Sequence, residues 1–591
     1  MPKAPDTLLF PPATRTEALR LGWDRLDVIL ITGDAYIDSP FIGTAVIARV
    51  LMAAGFRVGV IPQPDTRSGR DITRLGEPEL FWGVSGGCLD SMVANTTASG
   101  KRRKKDDLTP GGINLRRPDR AVIRYANLIR ENFKETRPIV LGGIEASLRR
   151  ISHYDAWSDT VRRSILFDAR ADLLAYGMAE ETVLAIAAAI REGAAVESEA
   201  LRSIRGICYI RQGVPDPTPE FPGPDVALPD HADAARDPGA FTLMFRRFYG
   251  NADPFTARRL YQKQDTRYLV QNPPPLPLSP EALDRIHELP YTREPHPIHR
   301  QEGLVPALET IRFALATHRG CYGECRFCAI AVHQGRHVVS RSEDSILREA
   351  SSFTAHPEFK GVIADVGGPT ANMYGMECRK KQAEGACADK GCLFPAVCRS
   401  MPVRHDRQIR LLQRLRALPG IRRVFVASGI RYDLILSDAK HGDRYLAEIL
   451  GHHVSGQLKI APEHVVDSVL ERMGKPGRKA LEAFIRRFEH LKRETGRNLF
   501  LTYYFMAAHP GCTQADMEAL RAFAKSRLGI LPEQTQIFTP TPATWSTLMY
   551  HTGQDPFTGE RLFVEKNPVA RERQKAALTP ALRERPTRRR R

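Results

Sequence analysis

Nowhere in its 591 residues does the chain carry about 18 uninterrupted apolar residues, so no membrane-spanning helix is expected. The opening stretch MPKAPDTLLFPPATRTEALRLGWDR lacks the apolar centre and small-residue cleavage site of a secretory signal, and a cytoplasmic location is expected. Cysteine is scarce. Ten residues are too few for a disulfide scaffold, and seven of the ten fall in two short clusters, which suggests metal ligation in a reducing compartment. The glycine-bearing stretch SGGCLDSMVANTTASGKRRKK has no Gly-Lys-Ser/Thr after a spaced glycine, which excludes a P-loop.

What is present is ordinary globular material. Hydrophobic residues make up 42% and charged residues 26%, enough to bury a full core and to rule out wholesale disorder. The length suggests about three to four domains. A net charge of +18 invites a nucleic-acid reading. The excess is local, however: residues 571–591 hold nine Lys or Arg against two Glu, and residues 101–105 are all basic. Both segments read as a solvated tail and loop, with contact to RNA or another polyanion as the second reading.

From Asp27 an apolar run, Val28–Thr32, precedes a helical pattern, Gly55 as a helix stop, and a second run, Val58–Pro62. That is a β-α-β unit. The rhythm recurs through ELFWGVSGG, a helix from about Ala121 to Phe133, RPIVLGG and ADLLAYG. It predicts a doubly wound, Rossmann-like parallel sheet over residues 1–212. Gly142 and Gly143 stand at a strand C-terminus, where a ligand can approach the backbone closely. Residues 213–299 are rich in proline and are expected to form an irregular linker with one or two short helices. A second series over residues 300–545 shows six strand segments with five helices between them, which predicts a partial (β/α)6 barrel. Residues 546–591 read as a basic, largely disordered tail. The fold class is therefore α/β, a parallel-sheet domain followed by a barrel.

Directly after the first barrel strand stands CYGECRFC, with Cys321, Cys325 and Cys328 spaced C-x3-C-x2-C. Three thiolates on one short loop can hold three corners of a cubane iron–sulfur cluster and leave its fourth iron open. An open iron can chelate the amino and carboxylate groups of S-adenosylmethionine and pass an electron to its sulfonium. Zinc closes at four ligands and favours C-x2-C pairs; here only His333 and His337 follow, outside that pattern.

The C-x3-C-x-Phe-C motif after a barrel strand resembles that of the radical S-adenosylmethionine superfamily, over about residues 300–545. The resemblance implies a 4Fe–4S cluster, S-adenosylmethionine, and Phe327 against the adenine. It places Gly367 and Gly368 of ADVGGP at the motif whose backbone receives the methionine amino group, although Pro369 replaces the Glu that usually follows. Ser428 and Arg431 of ASGIRYD match polar contacts to ribose and carboxylate after a fourth strand, and Glu463 of LKIAPEH matches a fifth-strand motif. A Ser or Glu at a strand end also reads as an ordinary cap. More narrowly, GDAYIDSPFIG, VLGGIEASLRRISHYD, CYGECRFCAI, DVGGPTANMYG, LKIAPEH and YYFMAAHPGC resemble the YgiQ-type family of bacterial radical S-adenosylmethionine proteins, from end to end. The N-terminal half of that family is similar to cobalamin-binding domains, which often carry a histidine in a D-x-H-x-x-G loop. Here the loop offers Asp34 and Tyr36 but no histidine, so cobalamin is not expected. Methylthiotransferases need three further N-terminal cysteines; only Cys88 and Cys208 precede the barrel.

A second cysteine set, Cys378, Cys387, Cys392 and Cys398, falls within 21 residues. Four thiolates complete either a zinc site or an auxiliary iron–sulfur cluster, and a position just after the second barrel strand leans toward iron. Redox-labile thiols are the other reading. Cys88, Cys208 and Cys512 are single and read as structural. His509, Tyr503 and Asp365 sit at barrel-strand ends, as substrate-facing or as wall residues. The expected function is a radical enzyme that cleaves S-adenosylmethionine and acts on a substrate the sequence does not identify. The alternative is a basic, metal-stabilised RNA-binding or RNA-modifying protein. Expected partners are an electron donor of flavodoxin or ferredoxin type and nucleic acid at the basic tail, with no membrane.

Overall fold

In the computed structural model, which describes residues 10–221, 223–387, 390–529 and 534–578, the run Val28–Thr32 (β1) is buried at every position. A strand buried on both faces belongs inside a parallel sheet. It pairs in parallel with Val58–Pro62 (β2) and Phe81–Ser85 (β3), in the registers Val28↔Val58 and Val28↔Phe81. Ile139–Gly142 (β4) and Leu173–Ala175 (β5) extend the parallel set. Helices Gly43–Ala53 and Ala121–Asn132 lie between these strands in the chain, and helix Glu180–Arg191 follows β5. The spatial order β2-β1-β3-β4-β5 is a doubly wound one.

The sheet continues beyond β5. Ile207–Arg211 (β6) joins it antiparallel. Three strands of the proline-rich stretch, Val226–Ala227 (β7), Leu260–Gln264 (β8) and Arg267–Gln271 (β9), then complete nine strands in the order β6-β9-β8-β7. Residues 213–299 are thus part of the first lobe, which corrects the reading of that stretch as an irregular linker. The cause lies in β8. Its core-facing residues Gln262 and Gln264 are fully buried yet polar. Gln262 Oε1 accepts from Ser152 N at 3.2 Å, and Gln264 Oε1 from Ser164 N at 2.9 Å. A hydrogen-bonded polar ladder replaces the apolar alternation by which a strand is recognised.

The second lobe has six strand positions: Ala314–Ala316 (β10); Val362–Ile363 and Asp365–Gly367 (β11, β12); Arg423–Val424 (β13); Gln457–Glu463 (β14); Phe500–Ala507 (β15); and Gln534–Ile537 (β16). All their pairings are parallel, β10 with β12, β11 with β13, β14 with β15 and β15 with β16. A bridge between Ile430 and Ile460 joins the third position to the fourth. Ser428 and Arg431 therefore follow the third strand position and Glu463 ends the fourth, each one position earlier than the motif comparison implied. The helix Arg478–Thr495 shows how the outer layer is held. Leu481, Phe484, Phe488 and Leu491 form its buried stripe, and Gly496, at φ 62°, ends it.

Part of the expected disordered tail is also folded. Trp545–Thr552 and Pro568–Ala576 are helices, the second capped by Asn567, whose side chain accepts from Val569 N and Ala570 N. Gln574 Oε1 accepts from Ala508 N at 2.9 Å, and its Nε2 donates to Cys512 O at 3.2 Å. The basic residues 573 and 575 hid this helix, because a charged outer face masks the few side chains that dock. The rest of the basic tail, residues 579–591, lies outside the described residues. Among the described residues no helix is long and apolar enough to cross a membrane.

Gln574→Leu should leave the Ala508 N–H and the Cys512 carbonyl unpaired at a buried site. We expect a loss of about 1–3 kcal/mol, read as a lower urea midpoint at unchanged slope.

Candidate functional site

The loop that carries Cys321, Cys325 and Cys328 leaves β10 through a short two-stranded pair, His318–Arg319 against Val339–Ser340. Gly320 makes the turn possible: at φ 78°, a Cβ there would lie 1.9 Å from His337 O. Two of the three sulfurs visibly converge. A Cβ on Gly323 would sit 3.2 Å from Cys321 Sγ, 3.6 Å from Cys325 Sγ and 3.1 Å from Arg431 Nη1. Gly323 N donates to Cys321 Sγ at 3.3 Å.

Electrostatics decide what this loop can hold. Burial, then the neighbouring Cys325, pushes the Cys321 thiol up, and the same two causes push Cys328 up to about 12. Thiolates gathered on one half-buried loop need positive charge beside them. The iron of a cluster supplies that charge, and the donor set suits it, because a cubane spreads its thiolates over separate irons.

Arg431 is the cation at the rim. Its Nη1 donates to Cys325 Sγ at 3.5 Å, while Nε and Nη2 hold Asp433 at 2.8 and 2.5 Å. Burial opposes its charge, yet Asp433, then Cys325 and Cys321, keep its pKa above the ordinary value. Its backbone is clamped as well. Asn372 Oδ1 accepts from Arg431 N at 2.8 Å, Asn372 Nδ2 donates to Arg431 O at 3.0 Å, and His405 and Asp438 stand behind Asn372. Thr370 Oγ1 lies 3.6 Å from Cys321 Sγ. The motif comparison missed Thr370, Asn372 and Asp433, although they stand in DVGGPTAN and IRYD, beside residues it found.

Gly367 and Gly368 end β12. A Cβ on Gly368 would lie 2.6 Å from the His318 ring, so this backbone is packed where no side chain fits. Glu463 adopts φ 68° at a register shift between β14 and β15. Burial raises its pKa against the pull of Lys475, 3.9 Å away, and Arg431. Ser428 is turned to Asp365: Asp365 Oδ1 accepts from Ser428 N at 3.1 Å, and Ser428 Oγ donates to Oδ2. Asp365 is accordingly a wall residue. Phe327 packs edge-on to His509 at 6.5 Å and against both apolar cores. Tyr503 is buried, and His509 Nε2 contacts Ser546 Oγ at 2.7 Å.

The second cysteine set is partly gathered. Cys378, Cys392 and Cys398 pack in one small cluster with Cys321 and Tyr322; Cys387 is outside it. The buried Lys381 places its Nζ 3.7 Å from Cys392 Sγ. In the first lobe the strand ends are filled by the chain's own groups. A Cβ on Gly143 would lie 2.5 Å from Ser85 Oγ, and buried Asp34 accepts from Arg117 Nη2 at 2.5 Å and from Cys88 N at 2.6 Å.

Arg431→Ala would strand Asp433 as a buried unpaired carboxylate. We expect it to cost about 3–5 kcal/mol of stability in thermal or urea unfolding, and Arg431→Met with Asp433→Leu to cost less than either single change.

A family model described as Radical SAM N-terminal matches residues 10–314, one described as Radical SAM superfamily matches 315–524, and a domain of unknown function matches 533–584. The proline-rich stretch thus falls inside the first of these, as in the sheet. The UPF0313 protein FN0734 of Fusobacterium nucleatum is 50% identical over 571 residues, 96% of this chain and 98% of its own. A UPF0313 protein of Thermotoga neapolitana is 48% identical over 96% of this chain and 98% of its own. Among solved structures, the radical S-adenosylmethionine methyltransferase TsrM of Kitasatospora setae, with cobalamin and an iron–sulfur cluster bound, aligns over 87% of this chain and 73% of its own at 15% identity and TM-score 0.46. The cobalamin-dependent enzyme OxsB aligns over 92% and 58% at 13% identity and TM-score 0.48. The expectation against cobalamin is corrected: a missing histidine removes one mode of holding cobalt and leaves the others. Matched by radical S-adenosylmethionine models along both halves and by full-length relatives at half identity, the chain belongs to the UPF0313 family of the radical S-adenosylmethionine superfamily.

Proposed function

We propose that the chain is an enzyme that reductively cleaves S-adenosylmethionine at the Cys321, Cys325 and Cys328 loop and uses the product radical on a substrate still to be identified. The observation that carries this reading is the convergence of the Cys321 and Cys325 sulfurs and the Arg431 guanidinium on Gly323, within the loop that holds all three cysteines. When bound, the cluster supplies the electron that splits the sulfonium into methionine and a 5′-deoxyadenosyl radical. The protein's own work is positional. Arg431, fixed by Asp433 and Asn372, holds positive charge beside Cys325 and shields it from water. The backbone at Gly367 and Gly368 is the segment that would receive the amino group of the methionine moiety, while Ser428 and Glu463 stand at neighbouring strand ends for ribose and carboxylate. Phe327, anchored against His509, offers an apolar face to the adenine. The electron comes from a flavodoxin- or ferredoxin-type donor. The basic tail contacts nucleic acid.

The second cysteine set is assigned to an auxiliary iron–sulfur cluster, because it follows the second barrel strand and because Cys378, Cys392 and Cys398 pack in one apolar cluster with Cys321 of the first site.

Anaerobic reconstitution followed by reduction with S-adenosylmethionine present should yield 5′-deoxyadenosine. Cys325→Ala should abolish it and drop the first site's iron while the barrel stays folded; undiminished cleavage in that variant would refute the assignment. The intact protein should hold about eight irons, falling to about four when Cys378, Cys387, Cys392 and Cys398 are all changed to Ala. About four irons with one zinc in the intact protein would instead make the second site a zinc knuckle.

A further inference from the structure

Between the two lobes lies a cleft with a cavity volume of about 110 Å³, open at its mouth, that neither the cluster loop nor the cysteine sets account for. Its first wall comes from the end of β5, from helix Pro238–Gly250 and from the proline run 274–277; its second is the segment 331–339 that follows the cluster cysteines. Tyr176, Phe248 and Tyr249 line it, with Arg150 stacked on the first two and Arg336 on the third, and among the described residues no Asp or Glu lines it.

The cationic side chains on these walls are not equivalent. Arg319 is paired with Glu180 at 2.6 Å, Arg336 with Glu324 at 3.4 Å, and His337 with Asp253 at 2.7 Å. Arg150 is different. It is 3% exposed, and no carboxylate pairs with it among the described residues. Its guanidinium lies 4.5 Å from the centroids of both the Tyr176 and Phe248 rings, its Nε donates to Gln271 Oε1 at 3.0 Å, and its Nη1 donates to Ser147 O at 2.5 Å. No hydrogen bond uses Nη2 among the described residues. Burial lowers its pKa, with only Tyr176 and Cys208 acting against that. A buried guanidinium without a counter-charge is costly, and an anion in the cleft would compensate it.

A second group sharpens the ligand's chemistry. Ser147 Oγ donates to Gly143 O at 2.8 Å and accepts from Gly177 N at 3.0 Å, so its 3.1 Å contact with His333 is one in which His333 Nδ1 donates. Burial, reinforced by Arg150, holds His333 neutral, with a pKa of about 4. Its Nε2 is thus a hydrogen-bond acceptor on the cleft wall.

We propose that this cleft binds a small anion with a flat body: its carboxylate or phosphoryl group against Arg150, its ring between the aromatic and proline walls, and a donor hydroxyl or amine on His333 Nε2. The site adjoins the cluster loop. Gly335 O accepts from Cys321 N at 3.4 Å, and Gln334 Oε1 accepts from Gly320 N at 3.4 Å.

The test is calorimetric titration of the full-length, cluster-loaded protein with 4-hydroxybenzoate and, separately, inorganic phosphate, without reductant or S-adenosylmethionine, so that its outcome is independent of cleavage. We expect saturable binding of at least one probe; which one saturates distinguishes a carboxylate from a phosphoryl ligand. Arg150→Gln should weaken that probe by about tenfold or more. Should Arg150→Gln fail to fold, Met178→Glu keeps Arg150 and puts a like charge on the wall, and it should weaken the probe comparably. No saturable binding of either probe up to about 10 mM, or unchanged affinity in a folded variant, overturns the proposal.

Discussion

Three cysteines gathered on one short, half-buried loop impose the constraint from which the rest of the second lobe follows. Burial, then the neighbouring Cys325, disfavours the thiolate at Cys321 and Cys328, so holding them ionised takes positive charge nearby. Arg431 alone does not neutralise them, because Asp433 already takes its fork. The pair instead forms a rigid wall of net zero charge that leaves compensation of the sulfurs to a cluster. Around that wall, several backbone segments approach too closely for side chains, at Gly320, Gly323 and Gly368. Asn372 fixes Arg431 through both backbone groups, so the rim is set by hydrogen bonds and not by loop flexibility.

The two lobes are closely connected. The chain leaves β9, crosses the proline run and the helices Pro280–His287 and Leu308–Ile311, and reaches β10 with His296 and His299 bonded back to Pro11 and Tyr36 of the first lobe. The segment after Cys328 returns against the first lobe through the contact of His333 with Ser147. The cleft there is lined both by Arg150, just after the helix Gly143–Leu148 of the first lobe, and by the segment 331–339 that follows the cluster cysteines.

Buried polar order recurs across the first lobe. Asp34 with Arg117, Asp90 with Arg149 and the glutamines of β8 all lie inside, each with a partner. Such pairs add little net stability but are costly to break, so they favour one arrangement of the strand ends over its alternatives. They also explain why small residues recur there: Gly86 and Gly143 leave room for Glu145 and Ser85, both of the same lobe.

The β-α-β rhythm, the six barrel strands and the C-x3-C-x2-C loop were legible in the residues alone, because apolar periodicity and ligand spacing are local properties. The motif comparison singled out Gly367, Gly368, Arg431 and Glu463 by residue pattern, but strand count places Arg431 and Glu463 one position earlier than that comparison implied. The sequence could not show the strand Leu260–Gln264, since its buried face is polar and its glutamine oxygens are satisfied by Ser152 N and Ser164 N, about a hundred residues away. Nor could it show the helix Pro568–Ala576, whose docking rests on Gln574 meeting two backbone groups of the barrel. Thr370, Asn372 and Asp433 gain meaning only when the strand ends bring them to Cys321 and Arg431. Arg150 is the clearest case. In sequence it is one of many arginines; tertiary structure buries it between two aromatic rings without a carboxylate, and the energetic cost of such a charge singles it out.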